Sequence, residues 1–348
     1  PVPAPCTERS AGLPLSPPLP RLQACYQAEL PDDFMPHDAE GVHFQRAFAM
    51  AGIADFDTGC IIVTEGGQRV AVAPAFTMRF SLATMLPPGW LKRVLGGVSF
   101  RVACVGHPSA DLGHIDGDTR PEVLAAITAT LERLAPLVAY KGFGPDLTLP
   151  RFVRVRGLPV PVLSLQTDPF AAMNSKHRNQ IKRKRRQSEH LRWQTVAALP
   201  PELVAPVYAL YLQTYERAQV QFEKLTPGYF SQTAHLSEYL LAFDGDKLVG
   251  FAQLMAGQGR ILFKYVGMNY ACAKPWGLYF GLLIRMVEHA RASGHQALDF
   301  GVTAYDFKRK LGAQMQETFV YYRHTHRVLN YVLRLAAPLL EPGAEELL

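Results

Sequence analysis

Twice along this chain the same order of elements recurs: a hairpin, one more strand, a helix and a returning strand. Residues 60–63 and 70–73 are apolar runs flanking Glu65-Gly66-Gly67, a hairpin signature, and residues 100–106 supply a further strand. Pro121 then opens a segment with Val123, Leu124, Ile127, Leu131 and Leu134 at helical spacing, Pro136 stops it, and residues 137–140 read as the returning strand. The second half repeats the pattern with residues 239–243, the turn Asp244-Gly245-Asp246, residues 248–255, a turn at Gly257 and Gly259, and residues 261–266. Tyr279, Leu283, Met286, Val287 and Ala290 line a helical face, Gly294 ends it, and residues 297–300 return. The fold class expected is α/β (α+β), with two β-β-β-α-β units, each a mixed, mostly antiparallel sheet with flanking helices.

A chain of 348 residues exceeds what one core usually fills, and 48% hydrophobic residues suffice for two. The expected division is a flexible, proline-rich lead-in over 1–24, a first domain over 25–165, and a second over 166–327 that begins with a basic linker helix at 175–190. A helix or tail follows at 328–348. The net charge of +6 favours acidic partners: nucleotides, CoA, tRNA or anionic lipid headgroups. Five scattered cysteines without a CxxC pair argue against a zinc site and a disulfide framework, and fit a reducing cytoplasm. No window reaches the ~18 apolar residues that span a bilayer. Val328, Leu329, Tyr331, Val332, Leu333, Leu335, Leu339 and Leu340 make an apolar tail that reads as a docked helix or as a peripheral membrane contact; with only Arg327 and Arg334 nearby, docking is the expectation.

Function concentrates in residues 298–313. An apolar strand ends in Gly301, where a ligand or backbone can come close, and Lys308, Arg309 and Lys310 can neutralise a diphosphate or a carboxylate. Upstream, residues 175–186 open a very basic helix that includes Arg178 and Lys182. It is either a solvated face or a phosphate site, and without an interleaved aromatic residue it gains no support as a single-strand stacking platform.

The strand 298–301 followed by Phe307-Lys308-Arg309-Lys310-Leu311-Gly312 resembles the closing motif of FemAB-type acyltransferases, the tandem GNAT-fold proteins that include BioF2-like acetyltransferases. The basic helix after the first domain and the loop Gly106-His107-Pro108-Ser109-Ala110-Asp111 agree, so the resemblance covers about residues 50–325. It implies two GNAT-like domains and transfer of an acyl or aminoacyl group from acyl-CoA or aminoacyl-tRNA to an amine. By position, Lys308 would contact a donor phosphate, with Arg309 and Lys310 assisting or pairing with Asp306 or Asp299. One departure stands out: the glycine-spaced pyrophosphate loop of CoA-binding GNAT domains is missing, and residues 266–278 offer instead Lys274 and a helix start near Pro275. No long helical insertion of the kind used for tRNA is present either.

Amide formation needs a proton acceptor for the amine and a donor for the oxyanion. Candidates are Asp111 and His114 in the first-domain loop, and Glu223 in the loop before the second unit, where an acceptor could enter. Lys264 and Tyr265 lie on the strand 261–266, where alternation would put them on opposite faces. His324 and His326 lack a third ligand for a metal. The expected activity is an N-acyltransferase working by direct attack with general-base assistance, with acyl-CoA as a possible donor and no metal. The alternative is a non-catalytic GNAT-like protein that grips nucleic acid or an anionic cell-envelope precursor through its basic helix.

Overall fold

A computed structural model describes residues 22–81, 99–171, 173–218, 221–302 and 304–343. The proline-rich lead-in up to residue 21, Cys6 within it, and Thr303 lie outside the described residues.

The first half runs β1 (Leu22–Gln27), α1 (Val42–Met50), β2 (Phe56–Glu65), β3 (Gln68–Ser81), β4 (Ser99–Val105), β5 (Asp116–Gly117), α2 (Pro121–Leu134), β6 (Leu137–Phe143) and β7 (Val153–Arg156). The second runs β8 (Val160–Ser164), α3 (Ser175–Gln187), β9 (Arg192–Val196), α4 (Val204–Tyr215), α5 (Pro227–Gln232), β10 (Glu238–Asp244), β11 (Lys247–Ala256) and β12 (Arg260–Met268). It continues with α6 (Tyr270–Ala273), α7 (Leu278–Ala292), β13 (Ala297–Asp299), α8 (Tyr305–Lys310), β14 (Gln314–Gln316), β15 (Phe319–His324) and α9 (Arg327–Ala336).

Both β-β-β-α-β units form. In the first, β2, β3 and β4 pair antiparallel, and α2 crosses over to bring β6 parallel to β4. In the second, β10, β11 and β12 pair antiparallel, and α7 brings β13 parallel to β12. A helix is the usual way to join parallel neighbours, because the return path must cross a sheet face. Pro121 at the start of α2 costs nothing, since the first turn has no partner for that N–H. Val123, Leu124, Ile127 and Leu131 then bury one face against β4 and β6.

The sheets complete each other. The strand order is β1-β2-β3-β4-β6-β15-β7 in one and β14-β8-β13-β12-β11-β10-β9 in the other. Thus β8, from just after the first unit, pairs with β13 of the second sheet, and β15, near the C-terminus, inserts between β6 and β7 of the first. The core interlocks too: Phe44, Phe48 and Ile53 from the α1 region pack with Tyr229, Phe230 and Phe251 of the second half.

The described C-terminal helix α9 rests on the first sheet, with Asn330 bonded to His324 and Arg151, but only shallowly. It lies beside β15, but none of its residues is buried. Among the described residues no helix is long and apolar enough to cross a membrane.

Candidate active site

Parallel pairing between β12 and β13 covers only Arg260–Leu262 against Ala297–Asp299. After Asp299 the chain turns away while β12 runs on to Met268, so the two strands separate. At the turn Asp299 Oδ1 accepts the Gly301 N–H at 3.0 Å, and Gly301 sits at φ +62°. A cavity of about 730 Å³ opens at this separation, walled by both halves of the chain.

One wall is the loop that follows β4. Lys141 on β6 holds it by donating to the carbonyl oxygens of His107, Pro108 and Ala110 at 3.2, 2.9 and 2.7 Å. The loop thereby places Ser109, Asp111 and His114 on the cavity. His107 is buried between Phe44 and Phe48, and burial, with Lys264 and Lys141 nearby, pushes its pKa well below 6.5 and keeps the ring neutral.

The opposite wall is β12, and here the strand breaks its alternation. Gln253 pairs with Tyr265 and Leu254 with Phe263, so Lys264 is one residue too many. This bulge re-aims the strand. Lys264 and Tyr265, expected on opposite faces, both line the cavity and both reach Ser109. The Lys264 ammonium donates to the Ser109 carbonyl at 2.5 Å and pairs with Glu40 at 2.5 Å, with its side chain only 6% exposed. Burial works against that charge, but the carboxylate of Glu40, joined by Asp111 and Glu223, outweighs it and raises the Lys264 pKa.

Tyr265 links the two walls. Its hydroxyl donates to Glu223 Oε1 at 2.6 Å and lies 2.7 Å from Ser109 Oγ, which completes a Ser109–Tyr265–Glu223 hydrogen-bonded chain. Desolvation raises the Glu223 pKa, although the Tyr265 hydrogen bond opposes it. Tyr265 itself stays neutral because burial, then the Glu223 charge, push its pKa well above 10. The loop carrying Glu223 is fixed by Tyr211, whose hydroxyl donates to the Glu223 carbonyl and accepts from Leu225 N–H, both at 3.1 Å.

Asp111, His114, Glu223, Lys264 and Tyr265 therefore meet at one cavity. The cationic candidates distribute otherwise. Lys308 is 1% exposed and donates to the Phe300 and Gly301 carbonyls at 3.1 and 2.9 Å, which fixes the turn beside Asp111. Burial lowers its pKa to about 8 against the pull of Asp111 and Asp299. Lys310 forms an ion pair with Asp306, and the Arg309 guanidinium lies 5.7 Å from the Tyr305 ring, so neither joins the cavity wall. Arg178 donates to the Met173 carbonyl, and Lys182 is exposed on α3.

Lys274 is exposed just before α7. That helix starts at Gly277, at φ +58°, with no side chain capping its first turn. The Lys184 ammonium from α3 lies 4.6 Å from the Phe280 ring in that turn. A helix start carries partial positive charge, and Lys184 adds a full one beside it, so an anion is the kind of ligand that this end of α7 attracts.

Glu40, Ser109, Lys141 and Asp299 were not singled out from the sequence as site residues. Ser109 lay within the loop already noted, but Glu40 and Lys141 had no signal beyond an ordinary charge.

Residues 175–309 match the family model of the acetyltransferase (GNAT) domain. No curated protein matches the chain. Among solved structures it is similar to the C-terminal domain (DUF2156) of a protein assigned as a lysylphosphatidylglycerol synthetase from Agrobacterium fabrum, at 13% identity and TM-score 0.52, over 88% of this chain and 93% of that one. It is similar to L-PGS from Bacillus licheniformis at 13% identity and TM-score 0.50, over 77% and 87%. FemX shares 10% identity at TM-score 0.48, over 84% and 98%. At such identities the likeness is one of fold. The stretch matched as a GNAT domain takes in most of the closing motif at 298–312.

Proposed function

We propose that this tandem GNAT chain is an N-acyltransferase that joins an activated acyl group to an amine by direct attack, with Glu223 as general base. The observation that carries the reading is the Ser109–Tyr265–Glu223 chain at the cavity where β12 and β13 part. A desolvated carboxylate with a raised pKa is better matched to the attacking amine than an exposed one, and its position opposite the loop of Asp111 leaves room for both substrates.

In this mechanism the amine gives a proton to Glu223 as its nitrogen attacks the acyl carbonyl. The Lys264 ammonium is the positive group available to the oxyanion, and the Ser109 hydroxyl, a neutral donor aimed at Tyr265, would have to turn to join it. On collapse the C–N bond remains, the bond to the leaving group breaks, and Tyr265 supplies the leaving group's proton while Glu223 returns the amine's proton to Tyr265. The acceptor enters as the neutral amine, its ammonium proton already lost to water, and Asp111 and His114 orient it before attack. Lys184, Lys274 and the α7 N-terminus would hold donor phosphates. The donor proposed first is acyl-CoA and the second aminoacyl-tRNA; the acceptor is a small amine.

A second reading is favoured by the exposed cations Lys176, Arg178, Lys182, Arg183 and Arg186 of α3: a non-catalytic protein that binds a polyanion through that helix. Such binding would weaken steeply with salt, whereas a pocketed donor depends less on salt and more on acyl chemistry.

Calorimetric titration with acetyl-CoA, longer acyl-CoAs and free CoA tests the donor. Saturable binding that Lys184→Ala weakens is the expected result. Absence of binding moves the donor to aminoacyl-tRNA, and failure of both donors to yield an acylated amine removes the enzymatic reading.

A further inference from the structure

Residues 327–336 form α9, and a 3-10 turn follows at Ala337–Leu339. Val328, Tyr331, Val332, Leu335 and Leu339 recur at three- and four-residue spacing on one side. All face water, at 62%, 60%, 52%, 64% and 86% exposure. The helix is held from its other side. Asn330 Oδ1 accepts the His324 N–H at 2.9 Å, and its Nδ2 donates to the Arg151 carbonyl at 3.2 Å. Further on, Glu341 Oε1 accepts the Arg156 N–H at 3.4 Å. A helix fastened by its polar flank with its apolar flank outward inverts the arrangement of a core helix, and leaves apolar surface that a soluble monomer rarely keeps contiguous.

Charge selects the occupant. Residues 327–340 contain Arg327 and Arg334 and no Asp or Glu, and both arginines are exposed. Arg151, Arg154 and Arg156 add exposed cations on the neighbouring strand β7 and its approach. Two copies meeting through this face would set arginine against arginine, with no carboxylate on either helix to answer them. Anionic lipid headgroups neutralise the arginines while the upper acyl region receives the stripe, and long arginine stems let the charge stay at headgroup level.

We propose that α9 seats the protein on the surface of an anionic lipid bilayer, with Val328, Tyr331, Val332, Leu335 and Leu339 immersed and Arg327 and Arg334 at the headgroups. The seat is independent of the acyl-transfer reading, and a protein without that activity would still show it.

Co-sedimentation of the full chain with vesicles of phosphatidylcholine alone, and of phosphatidylcholine with phosphatidylglycerol, tests it. Wild type is expected to pellet with the anionic vesicles, less so at high salt, and Val332→Glu/Leu335→Glu to lower that partition by about tenfold or more. Because both side chains are exposed, the double variant should melt as wild type does. In a Tyr331→Trp variant, the emission should shift to the blue when anionic vesicles are added, a readout that needs no charged substitution. Failure to pellet, equal pelleting of the double variant, or a Tyr331→Trp emission that vesicles leave unchanged overturns the proposal. So does a wild-type dimer that the double variant converts to monomer, which would assign the face to a second copy of this chain.

Discussion

Glu223 gains its value as a base from where it loses water. Desolvation lifts its pKa above the ordinary 4.5, so the proton it takes from the attacking amine is held more firmly, and below that raised pKa it is already protonated and cannot act. The rate should therefore fall on the acid side along a limb displaced upward from a normal carboxylate. Glu223→Gln should lower kcat by about a hundredfold or more and erase the limb. A variant that keeps the limb would assign the base to Asp111. Lys308 makes a different pH statement. Folded, it loses its proton at about 8, whereas the unfolded chain keeps one to 10.5, so the unfolded state binds more protons in that window and stability rises with pH across it. The gain amounts to about 3 kcal/mol at most. Urea melts from pH 7 to 10.5 should show that rise for wild type and its loss for Lys308→Met; parallel curves would mean the lysine stays charged when folded. The residues that sequence alone exposed at the site were those with local oddity: a lysine in an apolar strand, carboxylates in loops. Glu40 and Lys141 looked ordinary because their meaning lies in partners far along the chain, Lys264 for one and the 107–110 carbonyls for the other.

Among the elements, the loop after β4 and the strand β6 are fitted backbone to backbone. Gly142 has φ +81°, and a Cβ added there would lie 2.4 Å from the Asp111 carbonyl oxygen and 2.7 Å from Gly113 N. The Gly113 N–H donates to the Gly142 carbonyl at 2.9 Å, so the loop cannot retreat without losing that bond. Gly142→Ala should cost about 2 kcal/mol or more, from the left-handed backbone and the contact together, and should disturb Asp111. A lowered melting temperature with reduced kcat is the expected pair; an unchanged melt would mean the loop is softer than its packing implies. Hairpins and crossover helices were readable because their signals are local: glycine turns at 65–67 and 244–246, Pro121 before a helical stripe, Gly294 after one. The bulge at Lys264 was not, since an extra residue in a strand shows only against its partner's register. Lys184 reaching the start of α7 depends on how α3 packs, which no spacing in residues 175–187 encodes.

At the scale of the molecule, the two units are not separable blocks joined by a linker. Each sheet needs a strand from the other side of the chain: β15 closes β6 against β7, and β8 stands between β13 and β14. Strand propensity at residues 160–164 or 319–324 says that these segments pair, and nothing in them says with which sheet. Long-range pairing of this kind ties the stability of one half to the other, as does the packing of Phe44 and Phe48 on Tyr229. The full chain should then unfold in a single transition, with near-ultraviolet and far-ultraviolet circular dichroism moving together. A polypeptide ending at residue 158 would leave the edges of β6 and β7 open where β15 belongs, and one beginning at 159 would carry β15 with no sheet to join. Neither half should melt cooperatively alone, because open edges and an uncovered core cost more than the remaining contacts return. Mixed together, the two should recover a cooperative melt, since the missing pairings are intermolecular but otherwise intact. A sharp independent transition from either half would show that the exchanged strands add to a fold already complete without them, and the cavity between the sheets would then owe its shape to docking rather than to shared structure.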